Sequence, residues 1–201
     1  LEPEFLRYYF ASRLTSKIED IDLNFDDFQS RVNSDLIGKI INIGSRCAKF
    51  INKDFGNILS DSVNNNSLIN ECLSSKEEII KNYENRNYSA NIRLIASMAD
   101  NINKYLDTEK PWVKIKNKAD KDSVHRICTD GINLFRILIG FLKPVLPNIS
   151  LKVENILLCD PVNWGNIDTI MLEKEINKFE PIITRINNDD IDSMKNQNKG
   201  E

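Results

Sequence analysis

Apolar residues recur at three- and four-residue steps over most of this sequence after residue 26. That spacing places them on one face of an α-helix, whereas a half-buried strand would show strict alternation. The pattern predicts five helices with these approximate bounds: Asp26 or Asp27 (as the cap) to Phe55, Ser67–Arg86, Ser89–Leu106, Lys121–Leu142 and Ser150–Leu158. Since no strand ladder is evident, the sequence predicts an all-α fold, built as an antiparallel helix bundle.

The helical pattern is interrupted within "YLDTEKPWVKIK". A proline disfavours helical geometry at the preceding residue and is best tolerated in the first turn of a new helix. Pro111 therefore predicts a break at Lys110 and a change of chain direction. A tryptophan at such a break, Trp112, is predicted to be presented at the surface instead of packed in the core.

The two ends of the chain differ from the helical middle. Residues 1–25 contain one plausible short helix, "EFLRYYFASRL", followed by a segment predicted to be extended. Residues 159–201 are polar, rich in asparagine and acidic, with isolated apolar anchors, and such a segment is expected to wrap over a surface. We therefore predict three regions: a connecting segment (1–25), a helical bundle (26–158) and a tail (159–201).

Positive charge is concentrated in two segments of a chain whose formal net charge is -3. Residues 31–53 contain five basic residues and one acidic residue, and residues 110–121 repeat that ratio. This distribution is typical of a local anion-binding surface. The alternative is that both segments are ordinary solvated helix faces.

Residues that usually build catalytic or metal sites are sparse or badly spaced. The four cysteines show no CxxC spacing and accompany a single histidine, His125, which argues against a zinc site. The stretch "DIDLNFDDF" is similar to the start of a calcium loop, but Phe25 and Arg31 replace the required glycine and glutamate. No glycine-rich phosphate loop is present. We therefore predict no metal, no cofactor and no catalytic residue here.

The remaining composition indicates a cytoplasmic protein that does not cross a membrane. The cysteines fall among apolar helical positions, as expected of buried free thiols in a reducing compartment. They are Cys47, Cys72, Cys128 and Cys159. The longest apolar run, Leu134–Leu142, is interrupted by Arg136 and is too short to span a bilayer.

A polar ridge on the first long helix is the best candidate site. Asn42 and Arg46 are four residues apart and so lie one turn above each other, with Lys49 and Lys53 continuing the ridge. Asparagine and arginine read base edges through paired hydrogen bonds, and an exposed tryptophan such as Trp112 lets an unpaired base stack. The alternative is a solvated helix face together with a core tryptophan.

Four ordered blocks resemble the C-terminal half of bacterial methionyl-tRNA synthetases. They are "LRYYFASRLTSKIEDIDLNFDDFQSRVN", "INIGSRCAKFINKDFG", "YLDTEKPWVKIK" and "GINLFRILIGFLKPVLP". The resemblance implies a class I synthetase anticodon-binding domain, in which the helical bundle recognises the CAU anticodon of tRNA(Met). It carries over anticodon-binding roles to Asn42, Arg46, Pro111 and Trp112. Lys49, Lys53, Lys114 and Lys116 are then expected to contact phosphates.

The resemblance also implies what lies outside this chain. The catalytic domain, with its ATP site and any bound zinc, is expected upstream of Leu1. The chain is expected to be an excised piece that binds tRNA without catalysing its charging. Residues 1–25 resemble a stem-contact connecting segment, and the tail resembles a peptide that folds back towards the catalytic domain. Expected partners are the anticodon stem-loop and the protein's own catalytic domain. The oligomeric state is left open.

One position departs from the family pattern. Relatives often carry an asparagine one turn before the Asn42 and Arg46 pair, but here that residue is Gly38. Two other functions remain open on the residues alone. One is a helical protein-interaction module, and the other is the anticodon domain of a class I synthetase for valine, isoleucine, leucine or cysteine.

Overall fold

The computed structural model describes residues 1–17 and 20–197, and over these residues it is a helical bundle, which confirms the predicted all-α fold. The helical elements are, in chain order, α1 (Pro3–Arg13), α2 (Phe25–Arg31), a π-helical segment (Val32–Ile41), α3 (Asn42–Asp54), α4 (Asn66–Ser74), α5 (Lys76–Glu84), α6 (Tyr88–Glu109), α7 (Pro111–Lys114), a 3₁₀ turn (Lys118–Asp120), α8 (Lys121–Leu142), α9 (Pro147–Leu157) and α10 (Asn188–Gln197). Within the described ranges, no helix combines the length and apolar character that crossing a bilayer requires.

Helix α8 is the centre of the bundle. Every residue from 127 to 142 is buried, and α3, α4, α6 and α9 pack around it. Its buried polar residues have partners on a neighbouring loop. Asn133 bonds both the amide and the carbonyl of Met171, and the Arg136 guanidinium donates to the carbonyls of Asn166, Ile167 and Thr169. These bonds attach residues 166–171 to the central helix.

Close contact between α3 and α8 depends on small residues on both helices. A β-carbon added to Gly44 of α3 would lie 2.5 Å from two ring carbons of Phe135 on α8. One added to Gly131 of α8 would overlap Cys47 Sγ on α3. Since interiors are packed to crystal density, these glycines set the distance between the two helices.

The first long helix is continuous from residue 25 to residue 54 but is not regular. Its cap is Asn24, whose side chain accepts from the Asp27 amide at 2.9 Å, so the predicted cap at Asp26 or Asp27 was wrong. The π-helical segment was also not predicted, and the Asn42 amide closes it by donating to the Ile37 carbonyl. A π turn holds more residues than an α turn. The side chains that follow it therefore point in a different direction around the helix axis from that expected of a regular α-helix, and apolar spacing alone does not reveal this change.

Several other predictions need correction. The helix predicted over Ser67–Arg86 is two helices, because the chain breaks at Ser75 between α4 and α5. Cys159 follows α9 and is only part-buried, unlike the other three cysteines. The helix α10 was not predicted within the tail. The helices predicted from Ser89 and Lys121 are confirmed, and that from Ser150 begins earlier, at Pro147.

Part of the tail lies along the first long helix in the opposite direction. We call residues 177–186 the tail strap. At one end, the Phe179 amide donates to Asn52 Oδ1 at 2.9 Å. At the other end, Asn33 donates to the Ile186 carbonyl at 2.8 Å and accepts from the Ile186 amide at 2.9 Å. Two asparagines on one helix therefore hold both ends of the strap.

Candidate nucleic-acid interface

The structure brings Arg46 and Trp112 into direct contact although 65 residues separate them in the sequence. Arg46 projects from α3, and its guanidinium carbon lies 4.6 Å from the centroid of the Trp112 ring on α7. The tryptophan is half-buried, as is the arginine. A guanidinium over an indole face is a favourable cation–π arrangement. The two residues thus form one contact pair, a cationic group over an aromatic ring, that is partly open to solvent.

The break between α6 and α7 positions this tryptophan. Helix α6 ends at Glu109, and Lys110 adopts a left-handed conformation with φ of 48°. Pro111 is buried and starts α7, which confirms the break predicted from the proline. Because Pro111 is packed against the bundle, the adjacent Trp112 is held at its edge with part of the ring accessible to solvent.

Helix α6 supplies groups that orient Arg46. Asp107 Oδ1 accepts from Arg46 Nη2 at 2.8 Å, and Asn103 Oδ1 lies 3.5 Å from Nη1. Asp107 is 62% exposed, and exposed ion pairs add little stability. The effect of the pair is therefore mainly to fix the direction of the guanidinium. The sequence analysis missed Asp107 and Asn103, because their relation to Arg46 depends on how α3 and α6 pack.

Asn42 lies at the start of α3 and is part-exposed, one turn before Arg46. It borders a cleft of about 340 Å³ between the first long helix and the tail strap. The lining residues are Ile37, Gly38, Ile41, Asn42, Ser45, Phe179, Pro181, Ile182, Ile183 and Arg185. The sequence analysis did not connect Asn42 with the tail.

The four candidate lysines are not equivalent. Lys114 is half-buried and forms an ion pair with Glu109, so its charge is largely compensated. Lys49, Lys53 and Lys116 are exposed, and among residues 1–17 and 20–197 no carboxylate pairs with any of them. These three ammonium groups leave net positive charge near α3 and α7.

A buried carboxylate, Asp130 of α8, organises the loop before α4. It accepts from the backbone amides of Asn64 and Asn65 at 2.9 and 3.0 Å, and from the Tyr105 hydroxyl at 2.5 Å. Burial raises the pKa of Asp130 to about 6. The three hydrogen bonds favour the charged form and therefore lower the pKa, but their effect is smaller than that of burial. Burial and the nearby Asp130 charge also raise the pKa of Tyr105. Both groups therefore have structural partners.

The single histidine, His125, packs between two elements. Its ring stacks on Phe55 with centroids 4.1 Å apart, and its Nε2 lies 2.8 Å from the Ile58 carbonyl oxygen. This contact joins α8 to the end of α3. The ring is therefore engaged between two elements.

Two family models match the chain. Residues 60–201 match the anticodon binding domain of methionyl tRNA ligase, and residues 1–48 match the class I (M) tRNA synthetases. Asn42 and Arg46 fall in the second range, whereas Pro111 and Trp112 fall in the first. The described residues of both ranges form one helical body.

The chain is similar in sequence to curated methionine–tRNA ligases. That of Francisella tularensis subsp. holarctica (strain FTNF002-00 / FTA) is 40% identical over 199 residues, which make up 99% of this chain and 30% of that protein. The enzyme of subsp. tularensis (strain WY96-3418) gives the same values. The chain thus spans less than a third of the length of these relatives.

Solved structures share the fold. The apo form of Mycobacterium tuberculosis methionyl-tRNA synthetase superposes with a TM-score of 0.81 at 16% identity, covering 92% of this chain and 39% of that one. The same enzyme in complex with methionyl-adenylate gives a TM-score of 0.80, covering 90% and 37%. The family models, the first of which covers more than half of the chain, show that the chain belongs to the methionyl-tRNA ligase family and contains its anticodon-binding domain.

Proposed function

We propose that this chain recognises the CAU anticodon of tRNA(Met) through Asn42, Arg46 and Trp112. The observation that supports this most directly is the Arg46 guanidinium held 4.6 Å from the Trp112 ring centroid, one turn from Asn42. The two planar groups form a stacking surface for an unpaired base, and the neighbouring amide provides a donor and an acceptor for its edge. Family membership supports the same assignment.

The contribution of each group follows from its chemistry. Stacking of a base on an aromatic side chain is worth about 1 to 3 kcal/mol. Asn42 and Arg46 discriminate between bases by a similar amount, about 1 to 3 kcal/mol for a good bidentate pair. Pro111 positions the ring, and Lys49, Lys53, Lys114 and Lys116 bind phosphates with an affinity that falls as salt rises.

We further propose that the full-length cytoplasmic enzyme attaches methionine to tRNA(Met) using ATP. The ATP site would then lie in the catalytic domain, which is the partner towards which the tail folds back, and this chain alone would bind tRNA without charging it. In the described part of the chain, no three His, Cys, Asp or Glu side chains cluster closely enough to hold a metal ion. The residues here therefore do not fit a zinc site, and we assign zinc to none of them.

The test is binding of a CAU anticodon stem-loop to the 201-residue chain at two salt concentrations. A stem-loop with its first anticodon base changed measures specificity, and Trp112→Ala measures stacking. Val113→Ala is the matched control, because this neighbour is 52% exposed. We expect a preference for CAU and, for Trp112→Ala only, a loss of about 5- to 150-fold in affinity, which is the stacking energy expressed as a ratio.

Equal affinity of the Trp112→Ala variant and the unchanged chain for CAU would contradict the stacking role. Weak binding of stem-loops, with the same affinity whatever their anticodon, would favour the helical protein-interaction module instead. Preference for a valine, isoleucine, leucine or cysteine anticodon would change the assigned amino acid.

A further inference from the structure

The turn that carries Trp112 is held locally by few hydrogen bonds. Helix α7 is a single turn, Pro111–Lys114, and such short helices are marginal without support from elsewhere. The preceding residue, Lys110, has a left-handed backbone with φ of 48°, which is unfavourable for a residue with a β-carbon. Its carbonyl accepts from the amides of Val113 and Lys114 at 2.8 and 3.1 Å, and both bonds stay within the turn. Contacts outside these bonds must therefore fix the direction in which the turn leaves α6.

One ion pair spans this turn from end to end. Glu109 is the last residue of α6, and Lys114 is the last residue of α7. Glu109 Oε2 lies 2.5 Å from Lys114 Nζ, and residues 110–113 lie between the two. The side chains are 27% and 35% exposed, so salt screens this pair less than it screens a fully exposed one. The pair therefore joins the two ends of the segment that carries the Trp112 ring.

The position of Glu109 is unfavourable in two other respects. The carboxyl end of a helix is its negative pole, and α6 has no basic residue in its last turn to compensate a carboxylate there. A carboxylate beside the cationic segment 110–121 also weakens the attraction of that segment for phosphates. Glu109 thus opposes both helix stability and RNA binding, and its ion pair with Lys114 is the contact that offsets these effects.

We propose that Glu109 is a positioning residue for Trp112. Its ion pair with Lys114 holds the turn in the conformation in which the ring contacts Arg46 and keeps part of its surface open to a base. The inference rests on the proposed function, because it concerns how the stacking residue is held before RNA binds. Such preorganisation removes an ordering cost from the binding step and so raises affinity. Lys114 then acts on binding through the position of Trp112 more than through contact with a phosphate.

Three changes in the 201-residue chain test this role. Glu109→Gln removes the charge with little change of shape, and Asp122→Asn is the matched control. Asp122 is an exposed carboxylate next to the same cationic segment, and among residues 1–17 and 20–197 it forms no ion pair. The third change exchanges the two charges, Glu109→Lys together with Lys114→Glu, and leaves the net charge unchanged. Thermal unfolding checks that each variant folds.

A positioning role and a simple charge effect predict opposite results. If Glu109 acts only through its charge, Glu109→Gln should bind the CAU stem-loop more tightly, as Asp122→Asn should. We expect instead about threefold weaker binding by Glu109→Gln, as for the loss of a partly exposed ion pair. Exchange of the two charges should restore most of the affinity. In the Trp112→Ala background, Glu109→Gln should no longer weaken binding, because no ring remains to be positioned.

Fluorine NMR of the chain labelled with fluorotryptophan reports on the ring itself. The chain has two tryptophans, so Trp164, which packs on Phe141, serves as an internal control. Without RNA, Glu109→Gln should shift or broaden the Trp112 resonance and leave that of Trp164 unchanged. A Trp112 ring that packing alone holds in place would give the same resonance in both proteins.

An affinity of Glu109→Gln equal to or above that of the unchanged chain, or an unchanged Trp112 resonance, would overturn the inference. An equal loss with and without the Trp112 ring would also overturn it, since Glu109 would then act elsewhere. If Trp112→Ala weakens CAU binding but Glu109→Gln does not, the proposed function stands and only the positioning role fails. If Trp112→Ala has no effect, the stacking proposal fails, and the fluorine spectrum still decides whether the ion pair holds the ring.

Discussion

Replacing Gly44 with alanine should loosen the contact that holds α3 against α8. The new β-carbon would lie 2.5 Å from Cδ1 and Cε1 of Phe135 and 2.9 Å from Cγ. The ring is fully buried, so moving it would displace the core side chains around it. Helix α3 must therefore shift away from α8, and Asn42 and Arg46 move with it.

Two opposing effects determine the size of the destabilisation. Replacing glycine by alanine inside a helix stabilises it by about 1 kcal/mol. Overpacking a core costs about 1 to 3 kcal/mol, and contacts with three ring atoms place this case near the upper end. The expected net loss is about 2 kcal/mol in the free energy of unfolding. For a chain of this length, that lowers Tm by about 4 to 8 °C.

The assay is thermal and urea unfolding of the Gly44→Ala variant beside Ser45→Ala. Ser45 is the next residue of the same helix and is exposed, so alanine there meets no ring and should leave Tm unchanged or slightly higher. An unchanged or raised Tm for Gly44→Ala would refute the argument that these helices are in contact through a residue without a side chain.

Two further predictions concern charge. The pKa of Asp130 is raised to about 6 in the folded chain, above an unfolded value of about 3.9, so its contribution to stability is complete below about pH 4 and is lost as pH rises through 6. The side chain of the Asp130→Asn variant cannot titrate. In urea unfolding, the difference in free energy of unfolding between the unchanged chain and this variant should therefore shrink by about 2 to 3 kcal/mol from pH 4 to pH 7. A constant difference would show that the pKa is not raised. Lys116→Ala should reduce the slope of log affinity against log salt for the CAU stem-loop by about 0.7. Lys114→Ala should reduce it less, because Glu109 already pairs with that lysine, and equal slopes would contradict the distinction.

Local chemistry explains which parts of the fold were predictable. The break at Pro111 follows from the geometry of one residue, and α8 begins and ends where its apolar pattern does. The π-helical segment was missed because its extra residue per turn changes the hydrogen bonding without changing the composition. The helix α10 was missed because its residues are mostly polar and carry little apolar periodicity.

In the candidate interface, too, some relations between residues could be predicted from the sequence and others could not. Asn42 and Arg46 could be proposed together because helix periodicity alone puts residues four apart on one ridge. Trp112 was added through a family resemblance and its place at a helix break. Nothing in the sequence relates Arg46 to Asp107, or Asn42 to the tail strap, since neither pair shares an element.

The sequence by itself therefore determined the helical class, the break before Trp112 and the two cationic segments, because each depends on residues near one another in the chain. Only the tertiary structure decided that Arg46 lies over Trp112, that Glu109 pairs with Lys114 across the α6–α7 break, and that the tail strap closes a cleft beside Asn42. The physical reason is that Arg46 and Trp112 are 66 positions apart, and the strap and Asn42 are further apart still, so that only the packing of helices brings them together. The Glu109–Lys114 pair is closer in sequence, but it depends on the left-handed turn at Lys110 between them.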